Sequence, residues 1–126
     1  MKYSFLLLMC CVSFLAGCRP SMAENVNPDE AGPLLRAALE AWKGGTTTAD
    51  LASQSPSIIM NESDWSSGNR LLDFAMADTG SLDGRQVRWV VQLKLQDKNG
   101  KVSDRKATYI IDTIPRVVIV RDSFAS

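Results

Sequence analysis

The chain has 126 residues, enough for one domain, and no histidine. Lys2 is the only charged residue before Cys18, so residues 18–126 carry 13 basic against 14 acidic side chains. A nearly neutral chain with interspersed charges gives no electrostatic basis for binding nucleic acid or an anionic membrane surface. The lack of histidine excludes Ser-His-Asp and Cys-His catalysis and histidine-ligated zinc or haem.

The first residues are typical of an export signal. Lys2 precedes a largely apolar run over residues 5–16. A transmembrane helix needs about 20 apolar residues, so this shorter run is typical of the central region of a signal peptide. Leu15-Ala16-Gly17-Cys18 follows it, with an aliphatic residue, two small residues and a cysteine in order. This sequence resembles the lipobox of bacterial lipoproteins.

The lipobox resemblance implies a division of the chain at Cys18. Residues 1–17 would be a signal peptide that is removed, and Cys18 would carry a diacylglyceryl group and palmitate. Each buried methylene contributes about 0.8 kcal/mol, so two or three acyl chains give a stable anchor. The polar, aperiodic residues 18–27 are predicted to be the lipidated cysteine and a linker. The alternative is an ordinary signal peptide with a chance cysteine.

The resemblance also bears on location and on thiol chemistry. Arg19 stands where an aspartate is associated with inner-membrane retention in enteric bacteria, so the outer membrane is slightly favoured. Cys10 and Cys11 both precede Cys18. The processed domain would therefore contain no disulfide and no thiol nucleophile of its own.

A helix is predicted after residue 27. Asn27 and the acidic residues that follow favour a helix start, whereas Pro33 conflicts with a smooth helix. We expect either a first turn kinked at Pro33 or a main helix that begins there. Leu35, Leu39 and Trp42 then form one apolar face, and Gly44-Gly45 ends the helix.

The pattern between this helix and residue 84 is weaker. Thr48 is predicted to cap a single helical turn and Asp64 to cap a polar turn. The remaining stretches are interpreted as a short strand at 57–60, a strand at 70–77 with Leu72, Phe74 and Met76 on one face, and a loop at 78–84.

The second half of the chain has the clearest strands. Apolar residues alternate from Val87 to Leu95, which predicts a strand with one buried and one wet face, as in an antiparallel sheet. The turn at 97–100 contains Asn-Gly, a signature of hairpins. The return strand places Ala107, Tyr109 and Ile111 on one face, Pro115 ends it, and residues 117–121 form the last strand.

Together these elements predict one α+β domain over residues 28–126, with the N-terminal helix packed on a curved antiparallel sheet of about four strands. The order resembles the cystatin-like architecture, including the NTF2-like cone, over residues 28–122. The sequences that carry the resemblance are residues 39–45, 56–60 and 100–121. Cystatin inhibitors use a Gln-x-Val-x-Gly loop, which residues 86–90 do not match, so protease inhibition is not supported.

Several residue groups are candidates for a site. Asn61, Glu62 and Asp64 could form the rim of a cation or ligand site, although a polar turn is the favoured interpretation. The turn at 97–100 lacks the later ligands of a calcium loop. No metal site and no cofactor are predicted. Four aromatic residues could line a pocket between helix and sheet, but core packing is favoured: Trp42, Trp65, Trp89 and Tyr109.

Three functional hypotheses remain open from the sequence. The preferred one is a lipid-anchored binding or interaction module of the bacterial cell envelope, with Cys18 as its membrane contact and its protein or small-molecule partner unidentified. The second is an NTF2-like enzyme with a site built from Asp73, Asp112 and Tyr109, with Arg70 also available. The third is a structural component of the envelope. No catalytic or ligand-binding residue is assigned, because no sequence spacing pairs these groups.

Overall fold

The computed structural model describes residues 28–124. The predicted signal peptide, lipobox and linker lie outside these residues. No helix in the described range is long and apolar enough to span a membrane. The elements in chain order are α1 (Pro28–Lys43), α2 (Thr48–Ser53), β1 (Ile58–Asn61), α3 (Ser63–Ser66), β2 (Arg70–Met76), β3 (Ser81–Asp83), β4 (Gln86–Gln96), β5 (Val102–Asp112) and β6 (Val117–Arg121).

The strands form one curled, half-barrel sheet in the order β1-β6-β5-β4-β2, with β3 paired to β4. The α+β class is confirmed, but the prediction of about four antiparallel strands is wrong. The sheet has six strands and is mixed, because β1 runs parallel to β6. β1 has four residues, and so short a strand contains no signal of its direction or of a partner almost 60 residues away.

Helix α1 is continuous through Pro33, so the alternative in which the main helix begins at this residue is wrong. Pro33 lies early in the helix and is exposed, so its ring faces solvent and its missing N–H removes only one bond near the helix start. The helix ends where predicted. Gly45 has a φ of +88°, and its N–H donates to the Trp42 carbonyl at 3.0 Å.

Both predicted helix caps are displaced by one or two residues. Thr47, not Thr48, caps α2, and its Oγ1 accepts from the Asp50 N–H at 3.1 Å. Glu62, not Asp64, caps α3, and its Oε1 accepts from the Asp64 N–H at 2.9 Å. Thr47 and Glu62 both have the extended backbone that a helix N-cap requires.

Two predictions for β2 and β3 are also corrected. A bulge between Leu71 and Asp73 shifts the register, so Leu71 is the buried residue, and Phe74 and Met76 pack against the core beside it. The predicted loop at 78–84 contains β3, which pairs with the start of β4. All three β3 residues are exposed, so no alternation indicated a strand there.

The core fills the concave side of the sheet. The predicted inward residues of β4 and β5 are all buried, and α1 lies against them with its predicted apolar face. Trp89 packs close to two glycines: a Cβ at Gly80 would lie 2.3 Å from Trp89 Cε3, and one at Gly32 would lie 2.8 Å from Trp89 Cη2. These contacts require glycine at both positions, because a methyl group there would overlap the indole ring.

Candidate functional site

Two tryptophans stack where α1 ends and α3 lies beside it. The ring centroids of Trp42 and Trp65 are 5.3 Å apart, and the ring planes differ by 3°. Such parallel pairs stabilise a core by more than the buried apolar area of the two rings alone. Trp42 is 4% exposed and Trp65 9%, while Trp89 and Tyr109 are also buried, which confirms the core interpretation of all four aromatics.

The stacked pair also forms the floor of a cleft of about 400 Å³. One wall is the α1–α2 connection over residues 44–48, and the other is the segment from Ser66 to Arg70. The cleft is therefore at the end of the helix, not between the helix and the sheet as the pocket alternative had it. Its volume falls at the lower end of the range of about 300–1,000 Å³ that is typical of small-molecule sites.

The two indole N–H groups differ. Trp42 Nε1 donates to the Asn69 carbonyl at 3.0 Å. The Trp65 indole N–H has no acceptor within residues 28–124. No side-chain nitrogen or oxygen that is sealed from solvent in this part of the chain lacks a partner. The Trp65 N–H is therefore not sealed from solvent.

The cleft has basic side chains and no carboxylate in its lining. Lys43 and Arg70 line it. Lys98 lies against Gly68 on the same wall, since a Cβ at Gly68 would be 3.0 Å from Lys98 Cε. Lys43 Nζ is 3.5 Å from Asp73 Oδ1 in an exposed pair, and such pairs are weak. Arg70 has no ion-pair partner in the described part of the chain.

A buried ion-pair network lies next to this cleft. Glu62 is 1% exposed, and Arg121 Nη1 donates to its Oε1 at 2.9 Å. Arg121 also pairs with Asp64, to which Arg105 Nη1 donates at 3.2 Å. The Tyr109 hydroxyl donates to Glu62 Oε2. Two carboxylates are thus balanced by two guanidinium groups, as buried charges require.

The fold explains why these residues meet. Ile58 and Met60 of β1 are buried, and Glu62 continues this alternation two residues later. Arg121 follows the buried Ile119 in the same way, and it is the cross-strand neighbour of Tyr109. The inward positions at the ends of β1 and β6 therefore converge on the Tyr109 hydroxyl.

The network shifts the pKa values of Asp64, Tyr109 and Arg121. Burial raises the pKa of Asp64, but Arg121, Asn69 and Arg105 together outweigh it, so that the pKa lies below its usual value. Burial and the adjacent Glu62 carboxylate raise the pKa of Tyr109 well above its ordinary range. Tyr109 is therefore a protonated hydrogen-bond donor, and Asp64 is an ionised acceptor at neutral pH.

Asn69 joins the network to the cleft. Its side-chain Nδ2 donates to Asp64 Oδ1 at 2.9 Å, and its backbone N–H donates to the Asp64 carbonyl at 3.0 Å. Its own carbonyl accepts from the Trp42 indole. The buried charges thereby fix one wall and half of the floor of the cleft.

The surroundings of the predicted acidic cluster thus differ from both interpretations made from the sequence. Asn61 is exposed, but Glu62 and Asp64 form neither a cation rim nor a simple polar turn. Sequence reasoning missed Arg105 and Arg121, which lie 41 and 57 residues from Asp64. The available signal was Arg121 itself, a charged residue at an inward position of an otherwise apolar strand.

The structure does not bring the alternative acid–base residues into one site. Tyr109 is buried on the concave face, whereas Asp73 is exposed beside Lys43. Asp112 lies on the opposite face of β5 from Tyr109, and its Oδ1 accepts from the Ile114 N–H at 3.1 Å. Arg70 lines the cleft, away from this face.

The turn between β4 and β5 is the predicted hairpin turn. Asp97 Oδ1 accepts from the N–H groups of Asn99 and Lys101, both at 2.9 Å. Across residues 28–124 no group of three or more metal-ligating side chains comes close enough to hold a metal ion. The hydrogen-bond donors to the Asp97 carboxylate thus come from its own turn.

Comparison with known proteins gave no match. No known protein family, curated protein or solved structure matches this chain. The cleft and the network are therefore interpreted from their own geometry.

Proposed function

We propose that this chain is a lipid-anchored, non-catalytic binding module of the bacterial cell envelope. The observation that carries the proposal is Leu15-Ala16-Gly17-Cys18 directly after the apolar run of the signal segment. Lipid on Cys18 would anchor the domain outside the cytoplasm, and Arg19 slightly favours the outer membrane. The cleft beside Trp42 and Trp65 would be the binding site.

The shape of the cleft supports binding. Its floor is a stacked tryptophan pair, and one wall is fixed by Asn69 and the ion pairs behind it. A site that is already formed loses little conformational entropy when a ligand binds. The buried face of the sheet is filled by side chains, and the cleft lies beside it, at the end of α1.

The finer fold assignment is part of this proposal. We place the domain in the cystatin-like architecture with an NTF2-like cone. The long helix across a curled sheet supports the assignment, as does the order in which the last three strands follow one another along the sheet.

The anchor is tested by metabolic labelling with an alkyne analogue of palmitate in a bacterial host. The full chain should incorporate label and sediment with membranes, and Cys18→Ala should lose both. Cys11→Ala is the matched control, because it removes a cysteine from the signal segment without changing the lipobox. Equal labelling of the wild type and Cys18→Ala would overturn the anchor.

The binding site is tested by photo-cross-linking on native membranes. A photoreactive residue replaces Thr46 in the cleft wall or, as the matched control, Lys106 on the exposed face of β5. Intact-mass spectrometry should find a discrete adduct at position 46 and none at position 106. The same adducts at both positions, or none at either, would contradict a binding role for the cleft.

A further inference from the structure

We propose that the cleft binds a small organic anion: a carboxylate or phosphate on a compact, hydroxyl-bearing skeleton. This inference deepens the proposed binding function and rests on it. It follows from three properties of the lining, namely its charge, its hydrogen-bonding groups and its rigidity.

The charge of the cleft selects for an anion. Lys43 and Arg70 line it, Lys98 lies against its Gly68 wall, and the lining includes no carboxylate. Two acidic groups near the cleft have cationic partners: Asp73 lies beside Lys43 in an exposed contact, and the buried Asp64 pairs with Arg121. Arg70 has no competing partner in the described residues, so its planar guanidinium is available for two parallel bonds to a carboxylate or phosphate.

Three carbonyl groups at the end of helix α1 are already occupied. The carbonyls of Glu40, Ala41 and Trp42 accept from the N–H groups of residues 44–46 at 2.9–3.0 Å. These three acceptors are therefore occupied by the helix cap and are not presented to a ligand.

The uncharged groups of the lining fit a hydroxylated skeleton. The hydroxyl groups of Thr46, Thr48 and Ser66 can each donate or accept, and the Trp65 indole N–H is an open donor. The rims of the two stacked indoles supply an apolar floor for C–H groups. A volume of about 400 Å³ fits a compact ligand of this kind.

The three indole N–H groups provide a direct assay. Trp42 donates to Asn69 and Trp89 donates to Ala77, whereas Trp65, which lines the cleft, has no acceptor for its N–H in residues 28–124. In the full chain, labelled with ¹⁵N at tryptophan and held in neutral detergent micelles, each indole gives one signal. Glucose, glucuronate and glucose 6-phosphate are added in turn, up to about 10 mM, so that millimolar dissociation constants are detected.

We expect glucuronate or glucose 6-phosphate, or both, to shift the Trp65 signal in a saturable manner and to leave Trp89 unchanged. The stronger of the two identifies the anionic group as carboxylate or phosphate. Arg70→Gln should raise the dissociation constant of the stronger anion about tenfold or more, as expected for the loss of one charge-assisted hydrogen bond. Arg85→Gln is the matched control, because Arg85 is an exposed arginine at the opposite end of β4.

Three results would overturn the inference. If glucose shifts Trp65 as strongly as the two anions, the cleft binds ligands but does not select anions, and the proposed function survives without this refinement. If neither anion shifts Trp65, the ligand class is wrong, and the cross-linking experiment decides separately whether the cleft binds at all. Equal weakening by Arg70→Gln and Arg85→Gln would show long-range charge instead of contact in the cleft.

Discussion

The cleft and the network behind it use the same residue types in opposite ways. In the network, Arg121 is 16% exposed and is bonded to two buried carboxylates. In the cleft, Arg70 is exposed and has no ion-pair partner among the described residues. Guanidinium groups with buried partners specify structure, whereas an exposed one beside a preformed space is available to a ligand. Asn69 connects the two regions.

Removal of Arg121 should have the largest effect on stability. Arg121→Met leaves Glu62 and Asp64 buried without their shared cation, and breaking such a network costs about 3–5 kcal/mol. The free energy of unfolding of the full chain in micelles, measured by urea titration, should fall by that amount. Arg116→Met, at an exposed arginine, should stay within about 0.5 kcal/mol of the wild type. Similar losses in both variants would contradict the structural role of the network.

Loss of the Tyr109 hydroxyl should have a smaller effect. Tyr109→Phe keeps the buried ring but removes the donor to Glu62 Oε2, and an unsatisfied buried acceptor costs about 1–3 kcal/mol. A double-mutant cycle with Glu62→Gln in the same urea assay should give a coupling energy clearly different from zero. Additive effects of the two substitutions would mean that the hydroxyl and the carboxylate do not interact.

Acid should weaken the network through Asp64. Its folded-state pKa lies below the ordinary value of 3.8, so its contribution to stability is complete above that value and is lost as the pH falls through the lower folded pKa. The free energy of unfolding should therefore fall more steeply with acid in the wild type than in Asp64→Asn. Asp104→Asn, at an exposed aspartate, should keep the wild-type slope. Parallel curves for all three proteins would contradict the assignment.

The exposed pair at the rim of the cleft should have the smallest effect. Lys43→Gln removes a 3.5 Å contact with Asp73 between two exposed side chains, which is worth about 0.2–1 kcal/mol at most. The urea midpoint should change little, while the response of Trp65 to the anionic probe should weaken. A large loss of stability would show that Lys43 belongs to the structural region and not to the cleft.

Local patterns in the sequence were sufficient for most of the fold. The alternation from Val87 to Leu95, the Asn-Gly turn and the Leu35, Leu39, Trp42 face each encode one element by themselves. The parallel partner of β1 and the exposed strand β3 were not predictable in this way. β1 depends on pairing with a strand far along the chain, and β3 has no buried face.

The candidate site was less accessible to sequence reasoning. The aromatic residues were identified as core, but no sequence pattern indicates that Trp42 and Trp65 stack at the floor of a cleft. Glu62 and Asp64 were singled out, yet their cations come from β5 and β6. Pairing of this kind is decided by the register of the sheet, which single-sequence patterns do not contain.

Hydrogen exchange of the three indole N–H groups in the full chain tests most directly whether a solvent-accessible cleft lies beside a buried ion-pair network. We expect fast exchange for Trp65 and slow exchange for Trp42 and Trp89, whose N–H groups donate to the carbonyls of Asn69 and Ala77 at 3.0 and 2.8 Å. Exchange of Trp65 as slow as that of Trp89 would contradict this expectation, because the indole N–H assigned to the ligand would then be shielded from solvent.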